Sequence, residues 1–198
     1  LGPLVFHGLG AIAAASWPGY DPIAQSISSL VHAPLGVLQT IAFASGIPLT
    51  LGWAIGAGRT IGATAGARRT VRLVFLLQAA ISAAFTLLPT DAPGAPTTFV
   101  GELHLGTFYV YALATPVSIV LCGRLFRRDP AWAAAARPSL LAALLMLVAT
   151  ALVPLTVAGP LEPWLGLLER LYVGIPGLWQ VGLAARALAI ARPAEARA

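Results

Sequence analysis

Three stretches of this 198-residue chain hold five of its seven acidic residues. The first reads WPGYDPIAQSISSLVHAP, the second FTLLPTDAPGAPTTFVGELHLG and the third VAGPLEPWLGLLERLYVGIPGLWQ. Together they place Asp21, Ser28, Asp91, Glu102, His104, Glu169 and Arg170 beside long apolar runs. A carboxyl group in an apolar setting keeps its proton, because desolvation penalises the charged form, and a protonated carboxyl is a general acid. Asp91, Glu169, His104 and Asp21 are therefore the candidate catalytic groups. Arg170, Ser28, Glu102, Tyr20, Tyr172 and Trp164 are the candidate binding groups. Two chemistries fit. One is proton-initiated isoprenoid cyclisation, in which Asp or Glu is the acid and aromatic faces steady the cations. The other is hydrolysis or group transfer, with Asp91, Glu102 and His104 activating water or holding a divalent metal. No H-E-x-x-H or comparable spacing occurs, and His7 and His32 are not spaced as ligands, so a divalent metal is only weakly supported and no other cofactor is expected.

Each residue also has a plain structural role to weigh. Glu102 near a helix start complements the macrodipole, worth about 0.3–1 kcal/mol. Asp21 before Pro22 makes an N-cap and first-turn pair. Ser28 can be a packing serine. Glu169 and Arg170 lie inside an apolar run, where ionisable groups are costly and find partners within a bundle. As sequence neighbours they point about 100° apart on a helix, so each is expected to pair with other segments. Asp91 and Asp21 are the acceptors expected for Arg170, in an ion pair that would pin three helices together.

The elements that position these groups are membrane helices. The chain is 58% hydrophobic and 10% charged, with mean hydropathy +0.84. A soluble domain carries roughly 25% charged residues, so this composition cannot cover a water-facing surface. Apolar runs at about 1–17, 34–57, 72–89, 103–123, 138–158 and 165–190 lack the period-2 alternation of barrel strands. The expectation is a single all-α domain over 1–198, a polytopic transmembrane bundle of six spans. The first run lacks a basic n-region and is read as a span rather than a signal peptide, the chain starting after a trimmed beginning. The one cysteine, Cys122, excludes an internal disulfide and a cysteine zinc site, and is read as a small core residue.

Charge sets the orientation. Arg59, Arg68, Arg69, Arg72, Arg124, Arg127, Arg128, Arg137, Arg186, Arg192 and Arg197 fall in connections that share one side of a six-span bundle; Arg170 is the twelfth basic residue. Asp21, Asp91, Glu102, Glu162 and Glu169 fall on the opposite side, with Asp129 and Glu195 the two exceptions. The positive-inside rule then puts both termini in the cytoplasm. The net charge of +5 follows from this bias and from attraction to anionic headgroups, not from nucleic acid binding. Arginine and alanine richness with no lysine suggests a bacterial source, and so the cytoplasmic membrane. Trp17, Tyr20, Phe99, Tyr109, Trp164 and Tyr172 read as an outer aromatic belt, Trp53 and Trp132 as an inner one.

Within the outer stretches, Pro89, Pro93 and Pro96 end the third span near Leu88. Thr97 or Thr98 caps the next helix, with Glu102 and His104 in its first turns. Ile23, Ile27, Leu30 and Val31 recur at i, i+4, i+7 and i+8, which predicts a short amphipathic helix in the outer interface.

YDPIAQSIS, LLPTD, GELH and LLERLYVGIPGLW resemble, in this order, the signature blocks of the domain of unknown function 998 family of six-span membrane proteins. The resemblance covers nearly the whole chain. It implies that Asp21, Ser28, Asp91, His104, Glu169 and Arg170 are the family's polar motif positions. Val31 replaces a glycine in the expected S-x-L-G pattern. The family implies no biochemical function.

Three function classes remain. The first is a membrane-embedded enzyme with an acid/base pocket near the outer leaflet, acting on a lipid or isoprenoid that enters sideways. It predicts a lipid-sized cavity lined by Asp91, His104 and Glu169. The second is a structural or partner-binding protein, with every charge paired and with Pro48, Pro116, Pro154 and Pro176 as kinks. The third is a small transporter. Against it, the inward halves are almost wholly apolar, with Gln39, Gln78 and Ser118 as modest polar groups, and no inverted repeat is visible. Membrane lipids are the partners expected.

Overall fold

A computed structural model describes residues 2–61, 64–157 and 159–191. The described residues form six α-helices: α1 (Gly2–Ala15), α2 (Val37–Thr60), α3 (Ala65–Leu87), α4 (Phe99–Phe126), α5 (Ala133–Val157) and α6 (Leu165–Ala191). Two 3-10 turns, Ser28–His32 and Glu162–Trp164, interrupt the connections. Each helix packs on its successor, and α1 also packs on α6, so the ring closes. Five helices are long and apolar enough to cross a membrane. The sixth, α1, has 14 residues, about 21 Å at 1.5 Å per residue. Gly2 lies against Leu49, and Pro3 against Gly177, so the described part of α1 reaches about midway along α2 and α6.

The outward surface is what a lipid-facing protein needs. Leu113, Leu141, Leu144 and Leu178 are 65%, 57%, 57% and 75% exposed. No aqueous surface of this kind would be stable. The buried core lies mainly toward the arginine-bearing connections, where Phe75, Phe126, Trp132 and Ile61 are fully enclosed. A second cluster, Ala13, Ile27 and Leu30, sits at the opposite end. Trp132 is thus core rather than inner belt, with its indole N–H donating to the Thr60 carbonyl at 3.2 Å. Tyr172, 2% exposed, is also core rather than outer belt.

Helix boundaries outrun the apolar windows at several ends. α3 begins at Ala65, not near 72, because Thr64 caps it by accepting from Ala67 N–H at 3.2 Å. α4 begins at Phe99, capped by Thr98 on Gly101 N–H at 3.1 Å. α5 starts at Ala133 and carries Pro138 within it. Hydropathy marks the part a helix puts in hydrocarbon, whereas caps mark where it starts. Arg192, Glu195 and Arg197 lie outside the described residues.

One expected element is absent. Residues 21–31 do not form an amphipathic interfacial helix: a single turn at 22–24 is followed by the 3-10 turn Ser28–His32. The carbonyls of Pro22 and Gln25 accept from Arg170, and Ile27 N–H donates to Glu169. Those side chains take backbone groups that a helical ladder would need. The segment turns inward instead of lying on the interface, leaving Ile27 5% and Leu30 1% exposed.

Candidate functional site

The connections α1–α2, α3–α4 and α5–α6 meet at one end of the bundle. His32 Nε2 lies 2.8 Å from the Thr90 carbonyl, tying the first connection to the second. Leu167 N–H donates to the Ile23 carbonyl at 2.9 Å, tying it to α6.

Proline ends α3, as Pro89 requires, and the chain reverses at Gly94, whose φ of +78° suits glycine. Asp91 then closes the turn. Its carboxylate accepts from Thr98 N–H at 2.9 Å and Thr98 Oγ1 at 2.7 Å. These two bonds hold the Asp91 carboxyl below its ordinary range. A Cβ on Gly101 would collide with this carboxylate, so the glycine is what lets Asp91 seat. Asp91 thus fixes the start of α4. Glu102, in the first turn, is exposed. His104 is buried, with Phe85 edge-on at 5.1 Å. Its Nδ1 lies 2.6 Å from the Leu88 carbonyl, and its Nε2 lies 3.1 Å from Ser28 Oγ.

Ser28 Oγ is also 3.3 Å from Glu169 Oε1, while Glu169 Oε2 accepts from Ile27 N–H at 2.6 Å. The carboxylate therefore sits at the N-terminal end of the 3-10 turn. Arg170 turns to the other part of the same segment. Its Nη1 donates to the carbonyls of Pro22 (2.7 Å), Gln25 (3.2 Å) and Gly166 (3.0 Å), and its Nη2 to Tyr20 Oη (2.7 Å). Gly166 is required here, because a Cβ would strike the Gln25 and Pro22 carbonyls. Tyr20 donates onward to the Ser26 carbonyl at 2.8 Å. Burial raises its phenol above the ordinary range, against the pull of Arg170. The acceptors expected for Arg170, Asp91 and Asp21, are not the ones it uses. Asp21 caps its own turn through Ile23 N–H at 2.8 Å, and Asp91 is taken by Thr98. Backbone carbonyls of an inward-turned segment lie nearer than either carboxylate.

Of the expected site residues, Ser28, His104 and Glu169 are thus brought into one chain, and Arg170 and Tyr20 into the adjoining clasp. Asp21, Asp91 and Glu102 are not part of it. Trp164 is at the surface, 49% exposed. Tyr172 lies deeper, donating to the Ala112 carbonyl at 2.9 Å and 2.8 Å from Thr150 Oγ1. Among the described residues no three His, Cys, Asp or Glu gather as a metal donor set.

Proton bookkeeping defines what the chain can do. The Leu88 carbonyl only accepts, so His104 carries its hydrogen on Nδ1. Nε2 of neutral His104 is then a bare base facing the Ser28 hydroxyl. The single hydroxyl hydrogen lies between Nε2 and Glu169 Oε1. If it turns to Glu169, Nε2 is satisfied only as imidazolium. Ser28 is a branch point through which one proton changes the charge of both partners.

One cavity lies at mid-depth in the bundle and a second at this end. A mostly apolar one of about 160 Å³ lies within the ring, bounded by Phe6, His7, Phe85, Tyr111, Gln78 and Gln180. A cleft of about 330 Å³ lies between α1, the 20–30 segment, α2 and α6, bounded by Phe6, His7, Ile27, Leu30, Gln39 and Arg170. Neither is lined by Asp91, His104 or Glu169. Gln39, read from sequence as an inward-half residue, sits in the first turn of α2, at the same end as the acidic connections. Ser45, Thr50, Ser82, Thr115 and Gln180 join Gln78 and Ser118 around the central cavity, so mid-depth is more polar than the sequence suggested. Gln39, the Leu88 carbonyl, Gly101 and Gly166 are the participants that sequence reasoning missed. A glutamine near the start of the apolar run at 34–57 was the one visible signal.

A family model described as "Protein of unknown function (DUF998)" matches residues 1–186. No curated protein matches, and no solved structure matches.

Proposed function

We propose, for a chain that belongs to the DUF998 family of membrane proteins of unknown function, that it is a membrane-embedded enzyme performing hydrolysis or group transfer on a lipid. Ser28 is the nucleophile and His104 its base. The observation that carries this reading is Ser28 Oγ at 3.1 Å from His104 Nε2 while Nδ1 is fixed on the Leu88 carbonyl at 2.6 Å. A nucleophile beside a base, with the base oriented by a third group, is the arrangement nucleophilic catalysis needs. Ser28 Oγ attacks an acyl ester carbon while its proton passes to Nε2. The departing alcohol takes that proton, and water or a second alcohol then resolves the acyl-serine with His104 as base. Glu169, 3.3 Å from Ser28 Oγ, offsets the imidazolium charge. Phe85 touches His104 and also lines the central cavity, giving an acyl chain a way to bring its ester near the pair. Cyclisation fits less well, because Asp91 spends both oxygens accepting from Thr98 and Glu169 Oε2 accepts from Ile27 N–H. In this reading the chain crosses the membrane six times, with termini in the cytoplasm and the site near the outer leaflet of a bacterial cytoplasmic membrane.

A long-chain alkyl fluorophosphonate tests it. Purified wild type should be labelled at Ser28, and Ser28→Ala and His104→Asn should not be. Unlabelled wild type that is folded would overturn it.

A second reading has its own observation. Arg170 and Glu169 grip backbone groups of one segment from one helix, as a non-catalytic clasp would. It predicts that Ser28→Ala changes thermal stability and nothing else.

A further inference from the structure

The amide of Gln39 is fully buried, and neither Nε2 nor Oε1 has a hydrogen-bond partner among the described residues. Native proteins rarely leave a buried polar group unpaired without a reason. Gln39 borders the 330 Å³ cleft, and Gly10 faces it from α1: a Cβ there would come 2.9 Å from Gln39 Oε1. Arg170 borders the same cleft. Its four hydrogen bonds use Nη1 and one hydrogen of Nη2. None of these bonds uses the Nε–H, and one Nη2 hydrogen is also left over, so the guanidinium can still donate to an anion such as phosphate or carboxylate. Phe6 and His7 line this cleft and the central cavity alike, so the two spaces are adjacent.

We propose that the cleft is a binding site for an anionic glycerophospholipid of the phosphatidylglycerol type. The phosphate meets Arg170. A headgroup hydroxyl donates to Gln39 Oε1, and an ester carbonyl accepts from Gln39 Nε2. An acyl chain runs past Phe6 into the mostly apolar central cavity. A phosphatidylcholine offers the phosphate and ester but no hydroxyl, and its choline adds a positive charge. Ile27 and Leu30 of the buried turn face this cleft, whereas Ser28 meets His104, so the proposal does not depend on catalysis at Ser28.

The test is native mass spectrometry of the detergent-purified chain with equimolar phosphatidylglycerol and phosphatidylcholine, then with inorganic phosphate added. Wild type should retain phosphatidylglycerol in preference, and millimolar phosphate should not displace it. Gln39→Leu should lose about tenfold of that preference, equivalent to one good hydrogen-bonding interaction, while its Tm is unchanged or raised. An apolar isostere removes the unpaired amide. Ala11→Phe, which intrudes on the cleft from α1, should do the same. Equal retention of both lipids by wild type overturns the proposal. Displacement by phosphate as effective as by lipid overturns its lipid part and leaves a simple anion site. An unaltered preference in a folded Gln39→Leu removes the amide from the site.

Discussion

His104 Nε2 stands 3.1 Å from the hydroxyl of Ser28, a residue 76 positions earlier in the chain. This contact joins the first connection to the first turns of α4. If it works as a base and nucleophile, His104→Asn separates catalysis from structure, since the Asn amide can still donate to the Leu88 carbonyl. Fluorophosphonate labelling should fall by about 10²–10⁴, the usual share of general base catalysis, with little change in Tm. Equal losses of labelling and Tm would mark His104 as structural only.

Asp91 should give an acid-side stability term. Its folded-state carboxyl is depressed, so its contribution is complete above the ordinary carboxylate range, near pH 4. It is lost as pH falls through the lower folded value. Tm measured from pH 7 down to 3 should fall over that acidic window, and Asp91→Asn should flatten the fall. The same variant should leave Ser28 labelling intact, because Asp91 binds Thr98 and not the Ser28 chain.

Gly166→Ala should be costly. The new methyl meets the backbone carbonyls of Gln25 and Pro22, which cannot swing aside as a side chain can. Overpacking of this kind costs about 1–3 kcal/mol. Thermal unfolding should show the loss, and limited proteolysis should cut within 20–30 sooner than in wild type. An unchanged cleavage rate would show that α6 does not seal that segment.

Arg170→Lys should loosen the same segment despite keeping the charge. A planar guanidinium reaches three carbonyls and Tyr20 Oη together, and an ammonium cannot match that spread. Hydrogen exchange should speed at residues 20–30 and stay constant in α5. Uniform acceleration across the chain would argue for global destabilisation instead.

Orientation can be read with single cysteines, because the native Cys122 is buried and should resist thiol reagents. A membrane-impermeant maleimide should label Ala95→Cys in intact cells. Ala134→Cys should react only after permeabilisation. The reverse pattern would invert the topology.

The sequence alone determined the all-helical membrane class, because apolar length and lack of alternation are properties of the chain that no tertiary contact is needed to express. The acids near one end, the arginines near the other, and the stop at Pro89 were legible for the same reason: they act locally or through the bilayer. The pairing of the charges was not. Arg170 took carbonyls rather than Asp21 or Asp91, and Glu169 took the N–H of Ile27, because backbone groups compete for charged side chains and leave no mark on residue type. The supposed interfacial helix at 21–31 failed on the same count: its periodicity was right for a helix, but α6 claimed its hydrogen bonds. Only the closed ring of helices decided that Ser28, His104 and Glu169 share one proton chain, and that Gln39 faces a cleft rather than a neighbour.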